Sequence, residues 1–174
     1  REAADVYIIN TCCVTNTAAA KSRQKIHQAR KQNPQAIIAL IGCYAQTASA
    51  DALAALQADV IIGAGEKGTL AQRITQALQQ RPIQAAAPGD ARALRVFEPL
   101  NIHSFSHQSR AFLKVQDGCN QFCSYCIIPY ARGSERSIDP TEAVAIASQM
   151  AAHGHQEIVL SGIHTGRYGR ERGT

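Results

Sequence analysis

Asp5–Cys43 reads DVYIINTCCVTNTAAAKSRQKIHQARKQNPQAIIALIGC, and its pattern decides the first fold assignment. Asp5–Asn10 and Ala36–Ile41 are short apolar runs rich in β-branched residues, the mark of buried strands. Between them, Thr15, Asn16 or Thr17 can cap a helix that runs from Thr17 to about Gln32 and is stopped by Asn33-Pro34. Strand, helix and strand in that order predict parallel pairing, with helices on the sheet faces.

Working outward, Ser49–Gln57 is a second predicted helix with Ser49 as its cap, and Asp59–Ile62 a third strand. Thr69–Gln80 is amphipathic, with Leu70, Ile74, Ala77 and Leu78 expected on one buried face. The prolines at 82, 88 and 99 interrupt any period, so this region reads as a linker, with a short strand near Leu94–Phe97. Ala111–Gln116 alternates like a strand, a cysteine-rich loop follows, Pro140–Ala152 reads as a helix capped by Asp139, and Gln156–Ser161 as a strand. The expected organisation is an N-terminal parallel-sheet unit over 1–82, a linker over 83–108, and a β-loop-α-β unit over 109–174 whose sheet is left unfinished.

Composition bounds the function. The 174 residues are 45% hydrophobic and 18% charged, which supports a packed core and excludes bulk disorder. Lysine plus arginine (18) exceeds aspartate plus glutamate (13), giving +5, compatible with a polyanionic partner without demanding one. The longest nearly apolar run, Ala36–Cys43, is far short of the ~20 residues that a membrane span needs. No signal-peptide pattern stands at the start, and a chain opening on Arg1 reads as an internal fragment. Six cysteines, three of them within eight residues, point to metal binding in a reducing compartment rather than to a disulfide scaffold.

Those three lie in Asp117–Pro129, DGCNQFCSYCIIP, which spaces Cys119, Cys123 and Cys126 as C-x3-C-x2-C. Thiolates suit zinc and iron–sulfur clusters. A closed site needs a fourth ligand and no further cysteine is near; His107 is the nearest upstream candidate. Three ligands leave one iron of a [4Fe–4S] cube open. A redox dithiol at Cys123–Cys126, a zinc knuckle and an electron-transfer cluster remain as alternatives.

The C-x3-C-x2-C loop resembles the motif of the radical S-adenosylmethionine (radical SAM) enzymes. The resemblance implies that SAM chelates the open iron, that one electron cleaves its sulfonium bond to give a 5′-deoxyadenosyl radical, and that Tyr125 packs near the adenine. It also implies a partial TIM barrel with the loop at the C-terminal end of its first strand. In that family the SAM amino group lies near the strand end marked here by Gly162 and His164.

A second set of thiols narrows the class. Cys12 and Cys43 each follow a predicted strand, so both belong to one sheet edge. Taken bare, such thiols also fit inert core cysteines. INTCCVTNTAAAKSRQKI followed by IGCYAQ is similar to the N-terminal domain of the radical SAM methylthiotransferases. This implies a second [4Fe–4S] cluster with Cys12 and Cys43 among its ligands, a third cysteine ahead of Arg1, and no ligand role for Cys13. KVQDGCNQFCSYCIIPYARG (114–133) and SGIHTGRYG (161–169) look most like the MtaB-type branch of that family, which acts on N6-threonylcarbamoyladenosine in tRNA. Ile138 departs from it, where Arg is frequent.

The activity so implied is methylthiolation of adenosine C2 at tRNA position 37. Its cofactors are two [4Fe–4S] clusters and SAM; its partners are the tRNA anticodon loop and a reductant such as flavodoxin or ferredoxin. The setting is cytoplasmic, without a membrane. The fragment alone is expected to be inactive. The alternatives are the isopentenyladenosine or ribosomal-protein aspartate branches, or a non-enzymatic Fe–S or zinc module.

Weaker signals complete the reading. Gly63–Gly68 matches G-x-G-x-x-G, but the strand and acid expected after it are missing, so a tight turn is preferred. Lys21, Arg23, Lys25, Arg30 and Lys31 form a basic helix, read first as a solvated face and second as a phosphate contact. Arg132 and Arg136 are candidates for RNA contact, with Arg167, Arg170 and Arg172 extending the basic end.

Overall fold

In a computed structural model, residues 3–80, 87–99, 102, 104–105 and 108–173 are described. Strands β1 (Val6–Thr11), β2 (Ile37–Gly42) and β3 (Val60–Ile62) form one parallel sheet in the order β1-β2-β3. Helix α1 (Asn16–Gln32) starts where the Thr15 hydroxyl accepts the Ala18 amide and ends at Asn33. Ile26 and Ala29 pack on one sheet face with Ile38, Leu40, Leu53 and Ile61. The opposite face joins Ile37, Ala39, Val60 and Ile62 to Ala77 of helix α4 (Leu70–Gln79). With helices on both faces, β2 reads as a continuous apolar run, as parallel strands do.

The second unit holds β4 (Arg110–Lys114) parallel to β7 (Glu157–Ser161). Helix α6 (Pro140–Ala152), capped by Asp139, buries Ile146 and Met150 against Ala111, Leu113, Val115 and Ile138. The α/β class with parallel sheets is as the sequence implied, and among the described residues no barrel closes.

Some expectations need correction. Leu78 is 55% exposed, because it stands about 100° round the helix from Ala77, at the edge of the face that packs on the sheet. Leu94–Phe97 is not a strand; a turn of 3-10 helix at Ala91–Ala93 precedes it. The stretch before β3 holds two short helices, α2 (Cys43–Thr47) and α3 (Ala50–Ala55), with Ser49 capping the second. Two further elements were not anticipated: α5 (Ile128–Arg132) and an antiparallel pair of β5 (Gln116–Asp117) with β6 (Arg136–Ser137). Pro82, His103 and His107 lie outside the described residues.

Charge organises the base of the cysteine loop. Asp117 is buried, yet its Oδ2 lies 3.1 Å from Lys114 Nζ and 3.7 Å from both Arg132 and Arg136. Its Oδ1 accepts the Gly118 amide at 2.9 Å. Burial alone would raise this carboxyl; the three cations outweigh it and hold the group below its ordinary value. From the first unit, Lys67 pairs with Glu98 at 3.7 Å, and burial with Lys114 nearby lowers its ammonium.

Two outcomes test this packing. Ala77→Leu should destabilise by about 1–3 kcal/mol through overpacking, while Leu78→Ala stays within about 0.5 kcal/mol, read from urea midpoints. A depressed carboxyl contributes stability above its unfolded value and loses it as pH falls through the folded one. Asp117→Asn should therefore cost about 2–3 kcal/mol at neutral pH, discounted for the partly exposed cations. Its deficit against the parent should shrink below about pH 4, as followed by denaturant unfolding across pH.

Candidate metal and cofactor site

The loop carrying Cys119, Cys123 and Cys126 leaves the sheet at the C-terminal end of β5 and returns at β6, so 118–135 is closed at its base by a strand pair. The closure is tight. Gly118 has φ +75, and a Cβ there would run into the Ser134 carbonyl. Cys119 N–H donates to Gly133 O at 3.0 Å. Asn120 and Glu135 exchange amide-to-side-chain bonds across the base at 3.4 and 3.3 Å. Farther out, Cys126 N–H donates to Cys123 O at 2.9 Å, forming the turn that carries two of the three thiols, and Phe122 packs edge-on against Tyr130.

All six cysteines are free thiols; Cys123 is exposed, and Cys119 and Cys126 are half-buried. Three unpaired sulfurs on a backbone-pinned loop form a donor set that suits an iron–sulfur cluster, where each thiolate takes a different iron. Ligands of one small ion must converge more closely. Among the described residues the trio that does so is Cys119, Glu135 and His164, whose ligand atoms all lie within 4.8 Å of one another. Glu135 in that trio is already engaged, by Arg167 and by the Asn120 amide.

The other residues singled out for SAM lie around this loop. Tyr125 is 90% exposed beside Cys126. Gly162 follows β7 and leaves room for Gln116, whose Cβ would stand 2.9 Å from a Cβ at 162. His164 is exposed, with its amide donating to Gln116 Oε1 at 2.8 Å. Gln116 was missed by sequence reasoning. It is fully buried, and its Nε2 donates to the carbonyls of Asp117 and Gly118 at 3.1 and 2.9 Å. Its only sequence signal was a polar residue at the end of an apolar alternation.

Cys12 and Cys43 come together at the sheet edge, each one residue past the paired Thr11 and Gly42. Thr11 ties the edge: its hydroxyl donates to Ile41 O at 2.7 Å and accepts the Ala45 amide at 3.1 Å. Gly42, at φ +97, has no space for a Cβ against Thr11 O. Cys12 is exposed and Cys43, opening α2, is buried. Cys13 lies with them: burial raises its thiol, the Thr47 hydroxyl opposes that, and Cys43 and Cys12 add to it.

The helix that follows the thiol loop reaches the sheet edge that carries Cys43. Arg132, the last residue of α5, donates from Nε to Cys43 Sγ at 3.0 Å. This corrects the expectation of free basic residues beside the loop. Arg132 is committed to Asp117 and Cys43, and Arg136 is buried, donating to Arg132 O and Ser134 O. Arg167 pairs with Glu135 and Arg172 with Asp139. On α1, Arg30 is structural, reaching Pro34 O, Ala36 O, Gln57 O and Asp59, while Arg23 lies over the Tyr44 ring. Around Gly63 and Gly65, Gln46, Pro88 and Leu94 fill the space that a Cβ would need, in keeping with a packed turn.

Among the described residues no helix is long and apolar enough to cross a membrane. Residues 1–63 match the uncharacterized protein family UPF0004, and residues 113–170 match the radical SAM superfamily, which implies SAM and an iron–sulfur cluster. The chain is 46% identical to the threonylcarbamoyladenosine tRNA methylthiotransferase MtaB of Bacillus subtilis, over 98% of this chain and 38% of that protein. It is 37% identical to the protein of the same name from Aquifex aeolicus, over 98% and 41% of the two chains. It is 32% identical to the tRNA-2-methylthio-N(6)-dimethylallyladenosine synthase of Pelotomaculum thermopropionicum, over 97% and 39%. The chain thus spans about two-fifths of the length of the curated relatives that it matches. It joins a UPF0004 segment to a radical SAM segment, as the sequence motifs implied, and over nearly its whole length it is similar to tRNA methylthiotransferases.

Proposed function

We propose that the protein to which this chain belongs methylthiolates C2 of N6-threonylcarbamoyladenosine at tRNA position 37. The single observation that carries this reading is the contact of Arg132, in the helix just after the thiol loop, with Cys43 of the sheet edge, which ties the segment bearing one thiol set to the other set. One set without the other would suit many radical enzymes. Two sets on segments tied together in this way suit a reaction that must both activate an inert C–H bond and deliver sulfur to the same carbon. The MtaB relatives, matched over nearly the whole chain, support the choice of substrate.

Cys119, Cys123 and Cys126 would hold the cluster that binds SAM, and Cys12 and Cys43 would contribute to a second [4Fe–4S] cluster. When bound, the clusters and SAM supply one-electron chemistry, a hydrogen-abstracting radical, sulfur and a methyl group. The chain's own residues orient and exclude. Gly118 and the β5–β6 pair fix the base of the loop, and Gln116 ties it to the strand end bearing Gly162 and His164. Gly162, His164 and Tyr125 would line the SAM site, with Tyr125 over the adenine. Anticodon-loop bases are the readable part of a tRNA, and a modified adenosine there can be splayed into such a site. A flavodoxin or ferredoxin would supply electrons in a cytoplasmic setting. The division into 1–82, 83–108 and 109–174 follows the same reading.

The test uses the full-length protein reconstituted anaerobically with iron and sulfide. About eight irons per chain are expected for two cubes, with a SAM-induced change in the spectrum of the reduced protein that Cys123→Ala abolishes. Nucleoside analysis of tRNA from a cell lacking the gene should show loss of the methylthio group from threonylcarbamoyladenosine. Loss from the isopentenyl nucleoside instead would move the substrate to the other tRNA branch. Stoichiometric zinc with no SAM response would replace the enzyme by a metal module built on Cys119, Glu135 and His164.

A further inference from the structure

Arg132 stands where the two halves of the proposed site touch. Its Nε–H donates to Cys43 Sγ at 3.0 Å, and its Nη1 lies 3.7 Å from Asp117 Oδ2. Neither partner is free to drift. Cys43 is buried, and its backbone is fixed by the Gly42 turn against Thr11 and by the first turn of α2. Asp117 is held by two further cations and by the Gly118 amide. The guanidinium is therefore aimed from behind by a carboxylate and presents one N–H to one sulfur.

A hydrogen bond to a metal-bound thiolate draws charge from the sulfur and stabilises the more negative, reduced state of a cluster. The effect grows where water is excluded and the donor is charged. We infer that Arg132 is a positioning residue that donates a hydrogen bond to Cys43 as a cluster ligand and raises the reduction potential of the N-terminal cluster. Through Arg132 the loop that carries Cys119 also sets the electronics of the other centre. The inference rests on the proposed ligand role of Cys43 and goes beyond it. Either way the cluster gains one electron from the reductant; Arg132 changes only the potential at which it does so. Asp117 and Cys43 outweigh the burial of Arg132 and keep it cationic, which agrees with this role.

The experiment uses full-length protein in which Cys119, Cys123 and Cys126 are all replaced by alanine, so that only the N-terminal cluster is titrated. Iron content is measured first, then the midpoint by a reductive titration followed by electron paramagnetic resonance. Arg132→Met should shift the midpoint to lower potential at unchanged iron content. Arg132→Lys keeps a charge but loses the planar N–H, and should shift it in the same direction by less. The Fe–S(Cys) stretching band in the resonance Raman spectrum should move with both. Should Arg132→Met not fold, the lysine variant and its Raman band decide. Equal midpoints and unmoved bands at equal iron content would overturn the inference. Absence of iron from the parent, before Arg132 is changed, would overturn the two-cluster reading itself and this inference with it, and is recognisable as a different failure.

Discussion

The structure around the cysteine loop depends on a buried carboxylate. Asp117 sits at the last position of β5, where the chain leaves the sheet, and its side chain is only 5% exposed. Left alone, a carboxylate there would become protonated rather than remain charged. Lys114 precedes it by three residues, and Arg132 and Arg136 reach it from the two sides of the loop's return. A single acid thus gathers the outgoing strand, the helix that follows the thiols, and the incoming strand. Removing it would leave three cations converging on an empty position, so the arrangement is specified more by what its loss would leave unpaired than by net attraction.

The two thiol-bearing edges use the same construction. In each, a strand ends, a glycine or threonine closes the backbone, and a cysteine follows at the start of the next segment. At the sheet edge, Thr11 and Gly42 are hydrogen-bonded neighbours in register, so Cys12 and Cys43 emerge together although far apart in sequence. At the loop, the thiols come from one contiguous segment and need a pinned base instead, which the β5–β6 pair and Gly118 provide. Sulfur donors must be held within a narrow region yet left open to the group they bind. Both edges meet this by fixing backbone and leaving Cys12 and Cys123 exposed.

Much of this was legible in the sequence, for identifiable reasons. The strands of the first sheet announce themselves because burial on both faces demands unbroken apolar runs, and the helix starts at Thr15, Ser49 and Asp139 because side-chain caps leave a local signature. The thiol spacing is local by nature. What was not legible arises from contacts between distant segments. A two-residue strand such as Gln116–Asp117 exists only through its partner at Arg136–Ser137. Helix α5, one turn long, lies below the length at which propensity decides. Leu78 fits the apolar period of its helix, but it stands at the edge of the face on which Leu70, Ile74 and Ala77 pack, and it is left exposed. The arginines beside the loop read as a basic surface because charge can be counted in a sequence, whereas the direction of a guanidinium cannot. Arg136 points inward because Asp117 is there to receive it.

Gln116 shows why a polar residue occupies a fully buried position here. The loop leaves the sheet in a tight left-handed turn at Gly118, which strips Asp117 O and Gly118 O of ordinary strand partners. Across from them, the His164 amide follows β7 with no ladder partner of its own. A buried group of this kind left unsatisfied costs about 1–3 kcal/mol. One carboxamide answers all three, donating twice from Nε2 and accepting once at Oε1. An apolar side chain of the same size would fill the volume and leave three orphans. Gly162 completes the fit, since a Cβ there would press on the Gln116 side chain. The loop that carries Cys119 and the strand end that carries His164 are therefore registered to one another by the Gln116 carboxamide.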